Sequence, residues 1–525
     1  MIKFILLFLS GGLLLVSCKL DEEPFFLTNE SAYENIANAT AALDGVYNGL
    51  TQYNYYCNDF VYSTYVGSGF YVSGLGGSNS HPDNKNLASL KPKPSTKYTE
   101  NPWKGMYKTI ERANGIIANC QTYENPANAK ELAWNDLVGE ALFLRALTYY
   151  NLVGIWGEVP LRLSPTTVDD IHKPLSSTDK IYQQIIDDLK RAETLMYPVP
   201  LNRPGYPAAE AASMLLAKVY MVMATTDDAV PIQDPQQCWQ LAYDHAKKVY
   251  GKYSLNPNYT DIFEDATADN TRESIFEIQF NTVVHSNLPR LFTASRAVRA
   301  NTWGRIRVNA ELVDLFRKTY PTDLTRYTAT FKATYTKFLT GNIVKTYPDI
   351  DTSRVEKIHS FNNAFPYLYK YWLRDKNVGT PYTQNNFVVF RYADLLLMLA
   401  EISNELGLDA EKYDYVNEVL ARVNISTNDF VPNSLTLGAD YNGDKEAFRK
   451  AIMLEYRFEL LGEGQDYMTN RRRGYQFFKE TVIDLHNNWS KFLPKYDVTL
   501  SDDPNTCMHF PIPQSEVNTN NDIDN

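Results

Sequence analysis

The chain is 525 residues long, 44% hydrophobic and 22% charged, with 62 acidic against 51 basic residues and a net charge of −11. That is the composition of a globular body outside a bilayer, and so acidic a chain without dense Lys and Arg patches is ruled against as a nonspecific nucleic-acid binder. Beyond Cys18 the cysteines are Cys57, Cys120, Cys238 and Cys507, with no CxxC spacing, which argues against a zinc site or disulfide scaffold and leaves room for one bridge.

At the N-terminus Lys3 precedes an apolar stretch, 4–16, too short to span a bilayer as a helix, so 1–17 reads as a secretory signal. It ends in Leu15-Val16-Ser17-Cys18, the pattern of a lipobox, in which Cys18 takes lipid and becomes the first mature residue. The alternative is an ordinary cleaved signal with a chance cysteine near the cut. Two or more acyl chains anchor a protein stably where one does so only marginally. Residues 18–30, with Asp21, Glu22 and Glu23, form a tether.

The body shows helices interrupted by loops. In 131–153 Leu137, Ala141, Leu144, Thr148 and Leu152 recur at three-to-four spacing, and Gly154, Gly157 and Pro160 close the segment. Segment 181–196 is amphipathic and 210–224 almost wholly apolar, while 235–250 puts Trp239, Ala242, Ala246 and Val249 on one side. Segments 392–406 and 411–423 make a further pair. These pairs look like tetratricopeptide hairpins, with small residues such as Ala212 and Ala217 where helices approach, and they must stack to bury their faces. The predicted fold is mainly α: a tetratricopeptide-like helix-pair superhelix with large irregular loop insertions and a few short strands. With no Pro- or Ser-rich linker, 31–525 reads as a single domain, its insertions near 60–94 and 278–386.

Catalytic signatures are missing from the sequence: no HExxH, GxSxG or Walker loop occurs, and Gly74-Leu75-Gly76-Gly77 lacks the third glycine of a dinucleotide turn. The seven histidines are scattered, so no metal site is predicted. Glu455 and Glu459 share a helix face, but with Arg457 between them they read as structural pairing. Arg145 reads as a buried arginine anchoring a carboxylate or carbonyls. Arg471-Arg472-Arg473 reads as a helix end that caps carbonyls and faces water.

Binding residues are sought in the insertions, because loops on a rigid scaffold carry function. Tyr62, Tyr65, Phe70, Tyr71 and Trp303 alternate with Ser, Asn and Gly, which suits an apolar platform beside hydrogen-bonding groups. In the run from Arg299 to Arg305, Trp303 stands between two guanidinium groups, with Asn301 and Arg305 to give direction and Gly304 to admit a ligand to the backbone. The competing role for Trp303 is to seal the loop against a helix at 309–318. Tyr71, His81 and Asp83 are the candidates for the opposite wall.

Several segments in order resemble the SusD/RagB family of nutrient-uptake lipoproteins. Trp103 to Asn114 resembles the family's W-x-x-x-Y-x-x-I-x-R-A-N helix, and EALFLRALTYYNLVGIWGEVPL at 140–161 resembles its F-L-R-A, Y-Y and V-P-L marker. LNPNYTDIF at 255–263, ESIFEIQF ending at Phe280, RYADLLLMLAEISNELG at 391–407, EYRFELLGEGQDYMTNRRRG at 455–474 and Phe510-Pro511-Ile512-Pro513 continue the series. Tyr456, Asp466 and Thr469 depart from the usual Arg, Arg and Asp, and Asp466 is expected to draw in a nearby arginine instead. The acidic residues after Cys18 resemble the signal by which Bacteroidetes send lipoproteins to the outer face. The resemblance implies an outer-membrane, lipid-anchored binding protein facing the cell exterior, without catalysis, cofactor or metal. It would capture glycan or peptide as the lid of a SusC-like TonB-dependent barrel, meeting that barrel by its helical-repeat side. The competing classes are a surface glycoside hydrolase, which needs only two carboxylates among the 62 acidic residues, and a structural or adhesion lipoprotein with no ligand.

Overall fold

The structure is a computed structural model that describes residues 31–73, 82–200, 203–226, 234–264, 267–350, 364–425, 445–489 and 498–523. The signal, the tether with Cys18, and His81 lie outside these. Among the described residues no helix is long and apolar enough to cross a membrane.

Twelve helices carry the argument: α1 (Ile36–Leu50), α2 (Asp59–Val66), α3 (Lys97–Asn119), α4 (Ala129–Trp156), α5 (Thr178–Leu195), α6 (Ala209–Met223), α7 (Pro235–Val249), α8 (Ala310–Thr319), α9 (Tyr392–Leu406), α10 (Asp409–Ala421), α11 (Lys445–Leu460) and α12 (Asp466–Arg471). Helices α3 to α7 pack each on the next, α9 joins α7 and carries α10 and α11 on its flanks, and α1 lies across α3 and α4. This is the stacked helix-pair slab that the apolar spacing predicts. The ends follow capping chemistry. Asn128 accepts from the backbone N–H of Lys130 and Glu131 at the start of α4, Asp234 caps α7 ahead of Pro235, and Gly407 ends α9 at φ +76°.

Helix α4 is buried on every side from Trp134 onward apart from Tyr150 and Gly154, as expected of a helix between two layers. It runs through Gly154 to Trp156, and only Gly157, at φ +71°, ends it. Gly154 has a packing reason, since a Cβ there would lie 2.8 Å from the Met468 methyl. Arg145 fills the role given it: its guanidinium grips Asp188 at 2.8 and 2.7 Å and Asn114 at 2.8 Å, tying α3, α4 and α5. The three consecutive arginines are a correction. Arg471 does bind carbonyls, those of Cys507, Tyr467 and Gly67, but it is buried, and Arg472 and Arg473 hold Glu401. No disulfide joins Cys57, Cys120, Cys238 and Cys507 to one another.

The strands are short: β1 (Tyr71–Ser73), β2 (Ser274–Ile278), β3 (Ile306–Val308), β4 (Phe331–Lys332), β5 (Thr334–Thr336), β6 (Ile343–Lys345), β7 (Tyr367–Leu368) and β8 (Phe387–Arg391). An antiparallel sheet in the order β1-β3-β7-β4 joins the two insertions, with Tyr71 opposite Val308, Arg307 opposite Tyr367 and Phe331 opposite Leu368. β2 pairs with β8, and β5 with β6 forms a separate hairpin. The early insertion is more ordered than its composition suggests, since all eight residues of α2 are buried.

A buried ion network fixes the later insertion to the slab. Arg391 holds Glu273 and Glu463 at 2.6 Å and Glu459 at 2.8 Å, Arg422 bridges Glu273 and Glu459, and Lys370 reaches Glu463 at 2.6 Å. Arg326, from the insertion, holds Asp323 at 2.6 Å together with Glu455 and Glu459 of α11. Burial alone would raise the Glu459 carboxyl, yet Arg422, Arg391 and Arg326 hold it well below the usual carboxylate range. Glu455 and Glu459 are therefore structural, as expected, while Arg457 pairs with neither and binds Asn470 and the Thr481 carbonyl.

Candidate functional site: an aromatic and guanidinium face

The site is built on the loop between the short helix Leu288–Phe292 and β3. The loop doubles back on that helix: the Trp303 N–H donates to the Arg290 carbonyl at 2.8 Å, the Arg305 N–H to the Leu291 carbonyl at 2.7 Å, and the Thr302 hydroxyl to the Ala294 carbonyl at 2.9 Å. Gly304, at φ +54°, permits the fold-back, because a Cβ there would meet Tyr367 at 2.7 Å and Ala294 at 2.9 Å. Its role is close packing, and the space over its Cα is filled by protein, so it does not admit a ligand to the backbone.

Trp303 is half-buried, with the guanidinium carbons of Arg290 and Arg305 at 3.8 and 4.1 Å from the ring centroid. The expected pairing with two guanidinium groups exists, but Arg290 takes the place given to Arg299. Such cation–π contacts contribute about 0.5–2 kcal/mol each and hold the ring in a fixed pose. The cation–π partners of the indole thus come from its own loop and the preceding helix, and its inner side packs on the hydrophobic core. Arg290 also lies 5.9 Å from the Tyr382 ring and donates to its hydroxyl at 3.3 Å, and His285 sits 6.2 Å from the same ring. Tyr382 is 41% exposed and Tyr53 50% exposed. The Tyr53 hydroxyl is raised by burial, with Asp59 and Cys57 adding and Arg305 and Arg290 opposing, which places it within the field of both arginines. Asn301 and Arg299 are exposed on the outer side of the loop.

Of the three residues expected on the opposite wall, the structure describes Tyr71 and Asp83. Tyr71 is 1% exposed, paired in the sheet through β1, and its hydroxyl donates to Asp466 at 2.6 Å, so it offers a ligand nothing. Tyr62, Tyr65 and Phe70 are equally buried: Tyr62 stacks on Tyr98 at 4.7 Å, Tyr65 donates to the Gly462 carbonyl at 2.6 Å, and Arg457 lies over the Phe70 ring. Asp83 is half-buried in the first turn of the helix Pro82–Ala88, which packs on β1 and α2. No arginine among the described residues forms an ion pair with Asp466, although Arg457 lies within its field; the Gly462 N–H and the Tyr71 hydroxyl both donate to one of its oxygens. Burial pushes its carboxyl up to about 6, against the pull of those bonds.

The sequence missed Arg290, Tyr382 and Tyr53. Tyr53 stands in the run Tyr53-Asn54-Tyr55-Tyr56, whose other two rings are buried, and no periodicity separates it from them. Among the described residues no cluster of His, Cys, Asp and Glu could hold a metal ion. What the face offers is flat apolar area with fixed cationic and amide edges, the chemistry of recognition.

Known proteins place this architecture. A profile described as "Starch-binding associating with outer membrane" matches residues 20–221, and the "SusD family" profile matches residues 235–525. A SusD-like protein of Formosa agariphila is 26% identical over 381 residues, spanning 69% of this chain and 67% of that protein. The solved SusD homolog of Bacteroides thetaiotaomicron superposes with a TM-score of 0.75 at 22% identity, covering 92% of this chain and 95% of its own. A laminarin-binding SusD-like protein superposes at 0.69 with 22% identity, over 94% of this chain and 99% of that one. With the helix-pair slab in place and a family profile spanning more than half of its length, the chain belongs to the SusD family.

Proposed function

We propose that the protein is a nutrient-binding lipoprotein held by lipid on Cys18 at the outer membrane, facing the cell exterior, where it captures a glycan and closes as a lid over a SusC-like TonB-dependent barrel. It does no chemistry of its own. The observation that carries the reading is the solvent-facing array of Trp303, Tyr382 and Tyr53 with Arg290 and Arg305, mounted on a rigid helical slab of the SusD fold. Indole and phenol rings supply stacking area to sugar faces, and guanidinium and amide groups supply direction to hydroxyls. Glycan is preferred over peptide because a protein of the same fold is a laminarin binder and the profile matching the N-terminal part is described as starch-binding.

Lid action requires two states, and ligand drives closure only if it contacts both proteins and so binds the closed form better. The barrel side is assigned to the helical repeats. In support, the segment between α4 and α5 exposes Leu163, Val168 and Ile171 at 39%, 87% and 49%, apolar area suited to a partner. Affinity electrophoresis of the full chain through gels holding different polysaccharides tests the binding reading, with a reducing-end assay alongside. Retardation by at least one glycan without new reducing ends is the expected result. New reducing ends would make the protein a hydrolase, and retardation by none would overturn glycan capture.

A further inference from the structure

The Trp303 loop is the meeting point of several cation-bearing segments. The Phe338 N–H at the β5–β6 hairpin donates to the Arg296 carbonyl at 2.8 Å, which sets Lys337 beside the loop. On another side the Arg299 N–H donates to the Lys376 carbonyl at 2.8 Å, and Val298, Ala300 and Leu373 pack into a small apolar cluster that locks this contact. With Arg290 and Arg305 flanking the indole, six basic residues stand on this loop or on the segments bonded to it: Arg290, Arg296, Arg299, Arg305, Lys337 and Lys376. Arg296, Arg299 and Lys376 are exposed, and the other three are half-buried.

None of the six forms an ion pair with another described residue. Elsewhere in the molecule the buried arginines Arg145, Arg326, Arg391, Arg422 and Arg472 each hold a carboxylate, while Arg457 and Arg471 bind amide and carbonyl oxygens instead. The one acid on the adjoining turn, Asp375, has an oxygen engaged by the Asn377 N–H at 2.9 Å. Like charges on one surface repel one another, and in a chain of net charge −11 many acids were on hand to neutralise them. Without a carboxylate partner among the described residues, and beside the exposed ring of Tyr382, they make a positive surface whose complement is an external polyanion. Guanidinium groups suit that task, because their planar fork matches the paired oxygens of carboxylate and sulfate.

We infer that the ligand of the Trp303 face is an acidic polysaccharide, bearing carboxylate or sulfate groups along its chain. The six cations meet its anions while Trp303 and Tyr382 take the sugar faces. This rests on the glycan-binding reading and narrows it to a charge class. The test is affinity electrophoresis of the full chain in matched gels: polygalacturonate against its methyl ester, and dextran sulfate against dextran. An acidic member should bind at least about tenfold more tightly than its neutral counterpart, with retardation weakening as salt rises. The pair that responds tells uronate from sulfate. The double variant R299A/K376A alters only exposed side chains, so it should keep its unfolding temperature and lose at least about tenfold toward the acidic polymer. Equal retardation by charged and neutral partners, or unchanged retardation of the double variant, overturns the inference. If a neutral glycan binds in a Trp303-dependent manner and no acidic one binds better, glycan capture stands and the charge assignment alone falls. If no polymer binds, both fall.

Discussion

Asp466 shows what one substitution in a family motif does to its neighbourhood. The carboxylate stands where the family usually has arginine, in a buried site, and its pKa rises from 3.8 to about 6 because burial penalises the charge. A folded-state value above the unfolded one means that the native state binds the proton more tightly. The associated stability is therefore fully present below about pH 4 and is lost as pH rises through about 6. Both donors, the Tyr71 hydroxyl and the Gly462 N–H, meet the same oxygen, so an amide oxygen can replace it. Asp466→Asn should accordingly raise stability at neutral pH, by at most about 3 kcal/mol, with the gain vanishing near pH 4 in urea unfolding. A variant less stable than the parent at pH 7 would contradict this. At this scale sequence reading did well where one residue's chemistry decides, as for Arg145, which needed a carboxylate and found Asp188. It failed where a distant segment decides. Tyr71 looks like a loop aromatic until β3, more than two hundred residues later, pairs with it.

Among the elements, helices were legible and strands were not. Apolar spacing located α4, α6, α7, α9 and α10 because each buries one face or all faces over three turns or more. Helix α2 was not legible within the early insertion because, buried all round, it shows no alternation, and the Tyr, Ser and Gly content of the segment resembles that of a loop. Strands of two to five residues carry too little pattern to detect. The cross-chain ion network could not be read either, since Arg326 and its partners Glu455 and Glu459 are separated by about 130 residues. That network makes the attachment of the later insertion an all-or-none matter. Truncating one member of a buried charge cluster leaves the others uncompensated, at about 3–5 kcal/mol. Arg326→Leu should therefore lower the denaturation midpoint by an equivalent amount, with limited proteolysis cutting within 310–350 before the helices of the slab. Unchanged stability with unchanged cleavage would show that the network does not hold the insertion in place.

For the molecule as a whole, the account joins an anchor, a slab and a ligand face, and each can be separated experimentally. Cys18→Ala should give a folded protein that no longer partitions into detergent or takes up labelled palmitate. Retention on the membrane through an intact-cell wash would contradict lipid anchoring. Gentle detergent extraction from the native host should recover the chain with a much larger outer-membrane barrel protein in a two-plus-two assembly, and Val168→Asp should weaken that recovery. A lone 60.0 kDa species after cross-linking in cells would count against the lid. The proposed ligand face takes its position from Trp303, which the sequence singles out in a polar, aromatic insertion. Its composition was not legible, since Arg290, Tyr382 and Tyr53 are assembled only by the fold. The most direct measurement of the central claim is isothermal titration of a retarding glycan into the parent and the Trp303→Ala protein, with unfolding temperatures determined in parallel. The account predicts an unchanged unfolding temperature and a loss of about 1.4 kcal/mol or more, tenfold in Kd. Undiminished affinity in an equally stable variant would contradict it.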